Sequence, residues 1–241
     1  MRRRFYNTVS DSPKCMIIEA LEDGLTVSLE GTMGQSYIEY STDYITWNKL
    51  KIGQYTTEVN KGEQILFRGR YTYSGIDFIR FVISKNCELK GSCMYLLGDS
   101  LAIKNNSLEN HTYAFWSLFI NCTTIKSVSS GFLPATTLAD YCYYEMFYGC
   151  TGLTTAPALP ATTLTYGCYS EMFYGCSKLN YIKAMFTTTP SYSYTGSWVQ
   201  GVASVGTFVK NPEATWDVVG VSGVPSGWTV KFDGEEDGGG N

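Results

Sequence analysis

The chain has 241 residues and a formal net charge of −4, with a pI near 5.1; a nucleic-acid binder ordinarily shows a basic face, and this balance argues against one. Aromatic residues make up 15% with 19 tyrosines, while charged residues reach only 17%, the profile of a β-rich extracellular or virion protein in which tyrosine and threonine cover sheet surfaces. No stretch approaches the ~20 apolar residues of a membrane-spanning helix, and the length admits two modest domains, each with its own core.

The first residues, MRRRFYNTVS, have the basic start of a signal peptide, but Asp11, Ser12, Pro13 and Lys14 stand where its apolar region should follow. The expectation is either a virion protein assembled in the bacterial cytoplasm or a mature chain whose signal has been removed. Arg2, Arg3 and Arg4, within an N-terminal arm over 1–14, read either as a frayed terminus or as a docking arm that orders against another subunit. Three arginines without a wider basic surface make a weak case for nucleic acid.

Over 15–91 the pattern is strand-like. Leu25, Val27 and Leu29 alternate, as do residues of YIEY at 37–40 and ILFR at 65–68. Turn signals stand between the runs at Asp23-Gly24, Gly31 to Gly34, Lys61-Gly62 and Ser74-Gly75, which predicts five to seven short strands in an antiparallel β-sandwich-like domain. The run STDYITW at 41–47 resembles a shortened Asp-box hairpin without its glycine. It is read as a turn with Trp47 buried rather than as a glycosidase mark, because function has to come from a site.

The following stretch repeats. Residues 133–158, LPATTLADYCYYEMFYGCTGLTTAPA, and 159–184, LPATTLTYGCYSEMFYGCSKLNYIKA, match at 16 positions with a period of 26. A fixed period in this range marks units that bury their apolar faces on one another. Within a unit Leu138, Cys142, Met146 and Cys150 fall at i, i+4, i+8 and i+12, one face of a helix or of successive helical turns, with Phe147 widening it. Gly149 ends the turn, LTTA at 153–156 is a short strand able to pair in parallel one repeat away, and Pro157 and Pro160 shape the return. A degenerate unit near 107–132 contains YAFWSLFINCTTI at 113–125, and FVISKNCEL at 81–89 is a fainter echo.

The unit MFYGCTGLTTAPALPATTL resembles the BspA-like leucine-rich repeats, whose pattern runs Phe-x-x-Cys-x-x-Leu-x-x-Ile-x-Leu-Pro. The resemblance extends over about 92–232, including WVQGV at 198–202, GTFV at 206–209 and PSGWTV at 225–230. It implies a short leucine-rich-repeat solenoid over 92–186 and a fold found on surface and adhesion proteins of gut and oral bacteria and in their phages. It brings no catalytic residues. Beyond the repeats, Trp198, Phe208, Trp216 and Trp228 supply an aromatic C-terminal cap over 187–232, followed by an acidic glycine-rich tail, 233–241, with nothing to bury.

Chemistry-bearing residues are few. The cysteines recur with the repeat (Cys142/Cys168, Cys150/Cys176, with Cys122 in the second column), which favours buried thiols as packing groups, though disulfides between neighbouring units stay open. No C-x-x-C is present and no metal site is expected. His111 is single and no nucleophile elbow accompanies it. Glu145 and Glu171 recur because the unit recurs, and are expected to share one environment, each bonded to the adjacent unit's backbone. No cofactor is expected.

The better candidates are tyrosines off the core face: Tyr144, Tyr148, Tyr166, Tyr174, Tyr192 and Tyr194, either an exposed row suited to protein or sugar contact or ordinary packing over neighbouring turns. The chain thus reads as mostly β with short helices and as a non-enzymatic interaction protein. The first expectation is a phage tail or capsid-decorating component on the virion surface, partnered by other subunits and by a host-surface protein or glycan. A bacterial cell-surface adhesin is the alternative, and a glycan-acting enzyme a remote one.

Overall fold

The computed structural model describes residues 14–73 and 78–235. Arg2, Arg3 and Arg4, and the turn expected at Ser74-Gly75, lie outside them. The chain is mostly β, with a few short helices and several sheets, none closed. Among the described residues no helix is long and apolar enough to cross a membrane.

Seven strands occupy the first part: β1 (Met16–Ala20), β2 (Val27–Thr32), β3 (Tyr37–Ser41), β4 (Asn48–Leu50), β5 (Gln64–Arg70), β6 (Phe78–Ile83) and β7 (Cys87–Gly91). With β8 (Ile125–Val128), five of them form a six-stranded sheet in the order β4-β3-β5-β1-β7-β8, and β2 pairs with β6 in a separate ribbon. Alternation sets the faces. Met16, Ile18, Ile65 and Phe67 join the main core with Val27, Leu29, Ile79 and Phe81 of the ribbon, and Phe67 meets Phe81 edge-on at 5.1 Å. Ile17 and Leu66 point the other way, to a small cluster with Cys15 under Trp47.

Trp47 is therefore half-buried outside the main core, with the Arg68 guanidinium 4.0 Å from its ring centroid. The turn before it holds by Asp43, whose Oδ1 accepts from the Ile45 N–H at 2.8 Å and the Thr46 N–H at 2.7 Å. Those bonds, with one from Ser41, lower its carboxyl to about 2. Asp43 is a turn-former.

Pairing turns parallel from β7 onward. β7 pairs β8; single bridges then link Ser127 to Thr155 and Thr155 to Tyr181. The strands β9 (Tyr181–Ala184), β10 (Thr207–Lys210) and β11 (Thr229–Phe232) continue in parallel register, Tyr181 opposite Thr207 and Thr207 opposite Thr229. The segment 153–156 thus pairs one repeat away, through one residue. Among the described residues the α-helices are α1 (Ser100–Asn105) and α2 (Tyr192–Thr195), with single 3-10 turns at Cys93–Leu96 and Ser130–Phe132.

No helix forms in 139–150 or 165–176; both are runs of turns. Even-numbered N–H groups close four-residue turns, as in Tyr144 to Tyr141 O and Met146 to Tyr143 O. Odd-numbered ones reach the next unit: Tyr141 to Tyr166 O, Tyr143 to Cys168 O, Glu145 to Ser170 O, Phe147 to Met172 O, Gly149 to Tyr174 O. Every fourth residue takes positive φ, Tyr141 at 56°, Glu145 at 54° and Gly149 at 68°. A helix would spend these N–H groups within the segment; here half are used between units.

The four-residue period explains the burial. Side chains run two in, two out: Cys142, Tyr143, Met146 and Phe147 are buried, while Tyr144, Glu145, Tyr148 and Gly149 are half-exposed. The inward rings of successive units stack, Phe119 on Phe147 at 5.6 Å and Phe147 on Phe173 at 5.9 Å, both at 9°. Tyr143 and Tyr169 stack at 5.9 Å with buried hydroxyls that have no partner among the described residues.

All eight cysteines are free and buried. Cys122, Cys150 and Cys176 each donate Sγ–H to a backbone carbonyl: Phe81 O at 2.9 Å, Phe119 O at 3.1 Å and Phe147 O at 3.1 Å. Phe119 O and Phe147 O also accept from the N–H of Cys122 and Cys150, so both carbonyl lone pairs are used. Past the last repeat, Trp198, Trp216 and Trp228 are buried, with indole N–H groups bonded to Gly223 O, Phe186 O and Ala203 O.

Candidate functional site

The outward positions line up in columns across the units. In one, the rings of Tyr113 and Tyr141 stack at 4.6 Å and 3°; in another, Tyr148 and Tyr174 stack at 4.8 Å and 0°. Trp116 precedes Tyr144 in a third. Tyr166, 54% exposed, sets its ring at 72° to Tyr141 with centroids 5.3 Å apart. Tyr144 meets Tyr141 edge-on at 5.8 Å.

Where the pattern changes, a cleft opens. The positions filled by Tyr141 and Tyr144 in one unit are Gly167 and Ser170 in the next. A β-carbon on Gly167 would lie 2.4 Å from the Tyr141 ring, so the ring can lie over that backbone only because residue 167 has no side chain. The resulting cleft of about 140 Å³ is walled by Tyr141, Tyr144, Tyr166 and Tyr192, with Ser170 and Glu171 among its lining residues.

The two glutamates occupy unlike environments, contrary to the single environment expected from their recurrence. Glu145 Oε2 accepts from Trp116 Nε1 at 3.2 Å and Ser117 Oγ at 2.7 Å; its partners are side chains of the preceding unit, not backbone. In the next unit the position of Ser117 is taken by Glu145 itself, so Glu171 lacks that donor. Among the described residues it keeps one long bond, from the Tyr144 hydroxyl to Oε1 at 3.4 Å. Burial, then the nearby Glu145 carboxylate, raises Glu171 above the ordinary carboxyl range. Burial and the two carboxylates push the Tyr144 hydroxyl up, keeping it a donor.

Of the six tyrosines proposed from the sequence, Tyr144, Tyr166 and Tyr192 (80% exposed) meet at the cleft. Tyr148 and Tyr174 form their own stacked pair on the same outward side. Tyr194 is partly buried against the core. The cleft residues Tyr141, Gly167 and Ser170 were legible only once the two-in, two-out period was known. No family model, no curated protein and no solved structure matches the chain.

His111 belongs elsewhere. Its Nε2 lies 3.0 Å from Asp99 Oδ2, and Asp99 Oδ1 caps α1 by accepting from Leu101 and Ala102 N–H. That arrangement fastens a helix start. Among the described residues no cluster of three or more potential metal ligands occurs.

Proposed function

We propose that the chain is a non-enzymatic interaction protein in which a β-sandwich-like unit (15–91) carries a BspA-like leucine-rich-repeat stack (92–186) closed by an aromatic cap (187–232). Its setting in this reading is a phage virion, on the tail or capsid, where the outward tyrosine face attaches to a host-surface protein or glycan. One observation carries the proposal: successive units align their outward aromatic rings on one side while a separate set of rings makes the core. Core formation does not require that outer row. Tyrosine and tryptophan bring flat apolar area with a polar tip, the composition of contact surfaces.

The cysteines support the virion over a secreted adhesin. Eight buried thiols without a disulfide suit a protein folded in a reducing cytoplasm. Mass spectrometry of purified particles, with host adsorption measured for a Tyr166→Ala/Tyr192→Ala double variant, tests the proposal. The expected result is the chain in the particle and weakened adsorption. Recovery only from cell envelopes would overturn the virion assignment in favour of the adhesin.

A further inference from the structure

We infer that the cleft between Tyr141, Tyr144, Tyr166 and Tyr192 is a recognition site for an organic ammonium group, which deepens the attachment reading above and rests on it. Three features of the cleft converge on a cation. Its walls are aromatic, and aromatic faces attract ammonium groups through the ring quadrupole. Its lining holds one carboxylate, Glu171, and no basic side chain. Among the described residues that carboxylate has a single long hydrogen bond, from Tyr144 at 3.4 Å, whereas the matching Glu145 is bonded by Trp116 and Ser117.

The electrostatics point the same way. Glu171 lies within the field of a second carboxylate, and burial together with Glu145 disfavours its charge. A bound cation relieves that repulsion, while an anion adds to it. Size narrows the ligand further. At about 140 Å³ the cleft is well below the ~300–1,000 Å³ of sites that engulf a whole small molecule, so it suits a head group on a larger partner rather than a run of sugars. The cleft also arises by a change between units, Gly167 and Ser170 replacing the earlier Tyr141 and Tyr144. A site built by departure from the repeat is not explained by the stacking that the repeat serves.

The test is an NMR titration of the full chain with tetramethylammonium chloride and, separately, n-butylammonium chloride. Equal sodium chloride, tert-butanol and methyl α-glucopyranoside serve as controls. The inference predicts saturable shifts at the amides of Gly167, Ser170 and Gly196 with at least one ammonium salt and none with the controls. Tighter binding of tetramethylammonium assigns a methylated head group; tighter binding of butylammonium assigns a lysine-like amine.

Glu171→Gln should weaken the interaction about tenfold, and Tyr166→Leu, at an exposed position that leaves the fold intact, about fivefold. Saturation by tert-butanol or the glucoside equal to that by the ammonium salts, or no saturation at the cleft, overturns the cation assignment. Host adsorption of the Tyr166→Ala/Tyr192→Ala variant separates the two readings. Lost adsorption with no ammonium response leaves the attachment face standing and removes only its ligand.

Discussion

Phe147 offers the sharpest test of which side of each unit faces inward. Its ring is fully buried and lies between Phe119 at 5.6 Å and Phe173 at 5.9 Å. Phe147→Ala removes the middle of that column. The flanking rings belong to other units, whose backbones are tied by their own hydrogen bonds, so collapse into the void is restricted. Truncating a buried phenylalanine costs about 3–5 kcal/mol. At about 2–4 °C per kcal/mol for a chain of this size, the melting temperature should fall by about 6–20 °C.

The neighbouring Tyr148→Ala is the control. That ring is half-exposed and among the described residues stacks on Tyr174 alone, a pair worth about 0.5–1.5 kcal/mol beyond its area. Differential scanning calorimetry of both variants decides. A Phe147→Ala shift no larger than that of Tyr148→Ala would refute the two-in, two-out assignment.

Two further outcomes follow from close contacts and from the thiols. A β-carbon on Gly152 would lie 2.2 Å from Thr123 O and 2.8 Å from Ile125 O, and backbone cannot step aside. Gly152→Ala should therefore lower the urea midpoint clearly, while Lys178→Ala, at the matching exposed position of the next unit, leaves it nearly unchanged. Burial raises Cys15, Cys122, Cys168 and Cys176 from 9.0 to about 12. The unfolded chain then releases these protons first, so their contribution to stability is complete below about pH 9 and is lost as pH rises toward 12. Urea midpoints falling across that window, with thiols inert to a disulfide reagent near pH 8 until the chain is unfolded, are expected. Rapid native labelling would contradict the burial.

Much of this was legible from residues alone. The twin units declared which side chains recur, and Leu138, Cys142, Met146, Phe147 and Cys150 are all buried. The i, i+4 spacing reads as helical because each step drifts only about 40° on a helix of 3.6 residues per turn, although three steps already accumulate about 120°. What separates a helix from the four-residue period is the left-handed backbone at Tyr141 and Glu145, residue types that give no such signal, whereas Gly149 does. A helical spacing gives no reason to place Tyr143 and Tyr169 inward, though both are core. It also hid the cleft, because Gly167 and Ser170 matter through what they omit beside Tyr141. The unlike surroundings of Glu145 and Glu171 come from a one-unit offset, Ser117 behind one and Glu145 behind the other, which a repeat alignment treats as equivalence.

The most direct measurement is a nuclear Overhauser spectrum of the full chain with tyrosine ring protons assigned. Ring centroids of Tyr148 and Tyr174 at 4.8 Å predict a strong cross-peak between residues one repeat apart, accompanied by one between Tyr113 and Tyr141 at 4.6 Å. Absence of both from a folded sample with well-dispersed signals would mean that successive units do not lie against each other, and the attachment face would go with them.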